Sequence, residues 1–393
     1  MSKEVNTGKL AVRLSCISIL YFILVSFGTY NSVFLKSLGL NPRQVGLFVS
    51  ALSLLSLLAT PVFGILSDRA RHNEGIIQLL VVITFAANIL TFVFDNDSGQ
   101  TAFYLCLGFF ALSVVFRAPL GALIENYLLF CGKRFSISYG RSRGLGSLAF
   151  SAVCVILGFV SPLVEIRYMF LAMNVINVVI FLLTSQRLDK GNVRIEKGEK
   201  ISLKELFVNK RFLMAMVFSG VIYISTNCNF TFLPYLFEDI GLDVERVGLL
   251  IGYAGFVEVP ILLFFDKLAR RGFLKGFYAF SGLLYTAESV LYYFANSFWF
   301  LMLVVSTIRG IAHGLYVGAG NNYIYEITDE KQRATAMSVY TSMGSVAGIF
   351  GNAFGGLLIE AFSIKIYFLI IGILSAIVTV LFVRKKDQEL LVR

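Results

Sequence analysis

Charge is scarce in this sequence. Asp, Glu, Lys and Arg make up only 15% of its residues against 57% hydrophobic, and the mean hydropathy is +0.78. So little charge cannot coat a water-soluble globule, which makes lipid the expected solvent. Proline is rare too, at six, and no Ser- or Gly-rich tract occurs, which argues against a disordered extension. The five cysteines (Cys16, Cys106, Cys131, Cys154 and Cys228) stand singly, at neither metal-ligand nor redox spacing, and read as small apolar fillers. Also missing are a Ser/His/Asp constellation, a metal-ligand cluster and a Gly-rich phosphate loop. The sequence therefore predicts no enzyme, no cofactor and no use of ATP, so that work must be drawn from gradients.

Aromatics are abundant, with 38 Phe and 18 Tyr, as suits a bilayer and its interfaces. The net charge of +10 does not indicate nucleic acid, because the basic residues sit in short gaps between apolar runs. A span needs roughly twenty mostly apolar residues, since every backbone group must be bonded within the helix. Twelve stretches qualify, near 11–35, 44–66, 75–95, 101–130, 140–163, 166–184, 211–237, 246–265, 274–295, 298–325, 334–360 and 364–383. The first is too long for a signal peptide and lacks a small-residue cleavage site, so it is expected to stay. With the N-terminus cytoplasmic, 27 of the 34 Lys and Arg fall in cytoplasmic segments. Five (Lys36, Arg43, Arg167, Arg246, Lys365) fall outside, and Arg117 and Arg309 lie within spans. Both termini are thus expected in the cytoplasm. The polar stretch from Arg187 divides the spans six and six, giving a bundle at 1–186, a linker at 187–210 and a second bundle at 211–393.

The halves resemble each other. GLNPRQVGLFVS from Gly39 matches GLDVERVGLLIG from Gly241, Pro61 matches Pro260, and Asp68-Arg69-Ala70-Arg71 is echoed from Asp266-Lys267. Parallel six-helix repeats place a site near the bilayer midplane. The stretch Gly64-Ile65-Leu66-Ser67-Asp68-Arg69 resembles the loop signature of the major facilitator superfamily, with Arg71 at its usual second glycine and a degraded copy at Asp266. That resemblance covers the whole chain. It implies an all-α membrane protein of two pseudo-symmetric six-helix bundles, with Gly64, Asp68, Arg69 and Asp266 in gating. Gly64 would let helices pack closely and Asp68 would form a charge-assisted latch.

Tyr139-Gly140-Arg141-Ser142-Arg143-Gly144-Leu145-Gly146-Ser147 is similar to the YGRxRxxGS pattern of the lactose-permease-like, oligosaccharide:proton symporter branch. The resemblance implies that Arg143 binds substrate, with Glu125 as the acid eighteen residues before it and Phe150 as an aromatic platform. Glu258-Val259-Pro260 is similar to the acid-aliphatic-proline of related permeases. The tenth span departs from the branch: Arg309 and Ala312 replace its histidine and glutamate, and His313 follows.

Ionisable groups inside a membrane are costly and functional by default. Glu125 and Arg143 both fall in the cytoplasmic third, either as a substrate site or as an ion pair tying two helices. Arg143 and Phe150 lie two helical turns apart on one face, although Phe150 alone can be packing. Arg117 and Arg309 sit at mid-depth and call for acidic partners. Glu258 is the candidate proton carrier, or else a fixed partner of Arg309. His313, one turn from Arg309, is a relay or a helix packer, and Glu288 with Tyr285 and Tyr292 is a coupling element or a helix contact. Asn227 lines the cavity or forms an interhelical hydrogen bond.

The first expected function is therefore proton-coupled symport of a small polar solute, a sugar or nucleoside, by a protein acting as a monomer in a bacterial inner or plasma membrane. The second is proton-coupled efflux of amphipathic compounds. A membrane sensor would need a soluble output domain, which the sequence does not show.

Overall fold

The computed structural model describes residues 7–70, 73–95, 99–135, 139–185, 206, 208–269, 273–329 and 332–384. All regular structure among them is helical. The first half holds α1 (Thr7–Gly28), α2 (Asn31–Ser37), α3 (Pro42–Arg69), α4 (Asn73–Asp95), α5 (Gln100–Phe135), α6 (Tyr139–Val160) and α7 (Tyr168–Thr184). The second holds α8 (Lys210–Tyr223), a π-turn (Ile224–Cys228), α9 (Asn229–Asp239), α10 (Val247–Ala269) and α11 (Leu274–Tyr293). It continues through a second π-turn (Leu301–Val305), α12 (Ser306–Glu326), α13 (Arg333–Ala361) and α14 (Ile364–Arg384).

Among the described residues, nine helical stretches are long and apolar enough to cross a membrane, and Gly144–Val160 and Tyr168–Thr184 are shorter apolar helices. With the 20-residue α11 these make twelve helical spans, the number expected from the sequence. Three spans are built of pieces: α1 with α2, α8 with α9 across the first π-turn, and the short helix Phe298–Phe300 with α12 across the second.

The chain forms two compact units, one of Met1–Phe34 with Leu52–Arg194, the other of Leu35–Ala51 with Ile195–Arg393. Residues 35–51, which the six-and-six reading assigns to the first bundle, make their contacts within the second unit. The Tyr235 hydroxyl donates to the Leu40 carbonyl at 2.7 Å, and Lys36 pairs with Glu238 at 2.8 Å. Gly46 lies so close to the backbone of Asn352 and Gly356 that a Cβ would collide with both.

Hydrocarbon offers helices no hydrophobic reason to associate, so small residues and buried polar groups hold them. In the first unit α4 packs on α5 and α7, and α1 on α6 and α7. The Ser113 hydroxyl donates to Asn88 Oδ1 at 2.6 Å, Asn88 donates to Asn174 at 3.1 Å, and Asn174 donates to the Phe85 carbonyl at 3.2 Å. This chain of bonds pins α4, α5 and α7 together. Gly121 and Gly146 admit the rings of Tyr21 and Phe22 from α1.

The second unit uses a glycine ridge. Gly310, Gly314 and Gly318 recur every four residues on α12, and a Cβ on them would meet Val257 at 2.7 Å, Ile261 at 2.8 Å and Phe265 at 2.6 Å on α10. That ridge sets the close approach of α12 to α10.

The internal repeat is visible in the backbone. Gly39 and Gly241 are the positive-φ glycines among the described residues, at φ 82° and 70°. Each closes a helix by the same pair of bonds: Gly39 N–H to Lys36 O with Leu40 N–H to Leu35 O, and Gly241 N–H to Glu238 O with Leu242 N–H to Phe237 O. This is the Schellman arrangement, in which a left-handed glycine satisfies the last helical carbonyls.

Candidate functional site

Arg309 is held from three sides in the second unit. Its Nη1 donates to Glu288 Oε1 at 2.6 Å and its Nη2 to the Thr226 carbonyl at 2.7 Å, while its guanidinium lies 3.5 Å over the Phe230 ring. Thr226 belongs to the π-turn between α8 and α9, and such turns disturb the regular ladder of carbonyls at functional positions. The side chains of Arg309 and Glu288 are 6% and 0% exposed. Glu288, not Glu258, is therefore the carboxylate that neutralises Arg309.

Glu258 instead faces His313. The glycine ridge brings α10 against α12, leaving Glu258 Oε1 3.9 Å from His313 Nε2, which is ion-pair distance and too long for a hydrogen bond. The other ring nitrogen, Nδ1, is 2.9 Å from the Tyr285 hydroxyl, so the tautomer decides which of the two donates. These side chains are accessible where the Arg309 pair is not: His313 is 37% exposed and Glu258 24%. The geometry thus separates a sealed pair, Glu288 with Arg309, from an open one, Glu258 with His313, and α12 contributes to both.

In the first unit Arg117 lies at the middle of α5. Its Nη2 reaches Asn31 Oδ1 at 3.5 Å and its Nη1 reaches Met173 Sδ at 4.0 Å, both at the outer limit of hydrogen bonding. Gly28, at the end of α1, makes room for the guanidinium, since a Cβ there would stand 3.2 Å from Nη2. The acidic partner expected from the sequence is not found among the described residues. Glu125 is eight residues on, about 12 Å further along the helix axis. It is half-buried, with interactions of its own.

Arg143 lies on α6, and its side chain is outside the described residues, as are those of Asp68, Arg69 and Asp266. Phe150, on α6 beyond it, is half-buried, and Asn227 is exposed in the π-turn. Gly64 does not mediate close packing with any described atom, for a Cβ there would meet none within 4 Å.

Three features were missed by reading the sequence. The four-residue glycine spacing on α12 was a usable signal, and so was Tyr278, buried on α11 seven residues before Tyr285, which the sequence had already singled out together with Tyr292. The Thr226 carbonyl left no signal, because a π-turn has no residue code.

The sequence matches the MFS_1 like family over residues 11–370. It is 27% identical to the uncharacterized transporter YwbF of Bacillus subtilis over 348 residues, covering 86% of this chain and 84% of that protein. Identity is 22% to the maltose permease of Geobacillus stearothermophilus over 394 residues, covering 96% of each, and 22% to the quinolone resistance protein NorA of Staphylococcus aureus over 370 residues, covering 91% of each. The structure superposes on a mutant form of the nucleoside transporter NupG with a TM-score of 0.81 at 16% identity, covering 95% of this chain and 99% of that one. The chain belongs to the MFS_1 like family of the major facilitator superfamily and is a multi-pass membrane transporter.

Proposed function

We propose that this transporter is a proton-coupled symporter of a small polar solute of the sugar or nucleoside class, with both termini in the cytoplasm. The observation that carries the reading is the Glu258–His313–Tyr285 series. A carboxylate and an imidazole stand 3.9 Å apart, the imidazole is backed by a buried phenol, and both titratable groups are partly exposed. A proton carrier needs this access, and a sealed pair such as Glu288–Arg309 lacks it. The branch resemblance supports substrate contacts from Arg143, Glu125 and Phe150. The alternation between faces is assigned to Asp68 with Arg69 at the end of α3 and to Asp266 near the end of α10.

The test is Glu258→Gln, which keeps shape and fixes the neutral form. In proteoliposomes loaded with glucose, maltose, uridine, glucuronate or orotate, the variant is expected to lose proton-driven accumulation of whichever probe the parent concentrates. Exchange of that probe at equal concentrations on both sides should persist, since exchange needs no deprotonation. A variant that still concentrates the probe and moves protons with it would show Glu258 to be structural. Proton-driven movement of amphipathic dyes outward, with no uptake of any probe, would establish efflux instead.

A further inference from the structure

We infer that the solute carries a carboxylate, and that Arg117 in the first unit is the group that receives it. The inference rests on the transport reading above and names its substrate class. Three observations support it. First, Arg117 lies at mid-span in the helical stretch Gln100–Cys131, where a charge is costly unless it is neutralised or hydrated. Second, its partners are neutral: the Asn31 amide oxygen at 3.5 Å and the Met173 sulfur at 4.0 Å, both at the limit of contact, with the Tyr21 phenol in electrostatic reach. Third, Arg117 as a residue is half-buried, and Gly28 leaves the guanidinium the space that an alanine methyl would take from it.

The second unit shows what a structural arginine looks like in the same setting. Arg309 has a carboxylate at 2.6 Å, a carbonyl at 2.7 Å and an aromatic face at 3.5 Å. Arg117 has none of these, so the fork of N–H donors that would grip a carboxylate remains uncommitted. A single uncommitted guanidinium matches one negative charge. No second cation touches Arg117 among the described side chains, which favours a carboxylate over a doubly charged phosphate. The charge is completed only when substrate arrives, and the empty protein carries the cost of the lone cation.

Two matched pairs of solutes test this on the purified full chain in detergent: glucuronate against glucose, and orotate against uracil. In at least one pair the acid should bind at least tenfold more tightly than its neutral relative. Arg117→Gln should abolish that preference and Arg117→Lys should keep part of it. Without solute, Arg117→Met should melt above the parent while Arg309→Met melts below it. The inference is overturned if neither acid exceeds its neutral relative tenfold, if the preference survives Arg117→Gln, or if Arg117→Met melts below the parent. Concentration of glucose or uracil by a proton gradient alongside such a failure would leave the transport reading standing. Tight binding of an acid at Arg117 with no proton-driven uptake of any probe would sink the transport reading alone.

Discussion

Arg117 and Arg309 share a residue type and each lies within an apolar span, but their chemical situations differ with what surrounds them. Burying a pair such as Glu288–Arg309 returns little net stability, because desolvation offsets the attraction, but removing one partner strands the other. Glu288→Gln should therefore destabilise the protein by about 3–5 kcal/mol. The double variant Glu288→Gln with Arg309→Met should recover much of the loss, since no charge is then left without a partner. Thermal unfolding of the four proteins gives the coupling as a double-mutant cycle. If the two losses simply add, the pair is not acting as a pair. Composition and depth were enough to single out Arg117, Glu258, Glu288, Arg309 and His313 in the sequence. Which acid meets which base was not legible, because partners such as Glu288 and Arg309 lie on different helices whose rotational phase no linear spacing fixes.

At the scale of the element, the twelve spans were readable because a bilayer admits only long apolar helices, and that constraint acts on composition. The repeat was readable for a different reason: Gly39 and Gly241 both occupy backbone at positive φ, which L side chains rarely adopt, so the residue type records the turn. The break between α1 and α2 was not readable, because the apolar run continues through it. The ridge of Gly310, Gly314 and Gly318 decides where Glu258 stands, since a Cβ at Gly314 would also lie 3.3 Å from the Glu258 carbonyl. Gly314→Ala places a Cβ 2.8 Å from that of Ile261, and both belong to backbone-fixed positions. Something must shift, and α10 is the element that can. We expect a loss of about 1–3 kcal/mol in stability, as for other overpacked contacts, with weaker proton-driven uptake because Glu258 moves from His313. Gly276→Ala, on α11 where a Cβ meets open space, is the matched control and should change neither. Equal effects of the two substitutions on unfolding temperature and on uptake would remove the ridge from the argument.

For the whole molecule, the sign of the solute decides which gradient can drive it. One proton moving with a neutral solute carries charge, so 100 mV alone supplies about 2.3 kcal/mol, enough for roughly fifty-fold accumulation at about 1.4 kcal/mol per decade. One proton moving with a carboxylate carries none. The membrane potential then does no work, and each pH unit supplies about 1.4 kcal/mol, or roughly tenfold accumulation. If Arg117 receives a carboxylate and Glu258 carries one proton, proteoliposomes should concentrate the acidic probe when the outside is made acidic at zero potential. A potassium diffusion potential set with valinomycin, at equal pH on both sides, should give no accumulation. Uptake driven by that potential alone would mean a neutral solute or more than one proton per cycle. In that event the lone cation on α5 and the open carboxylate on α10 could not be the one-to-one pair of charges that the cycle requires.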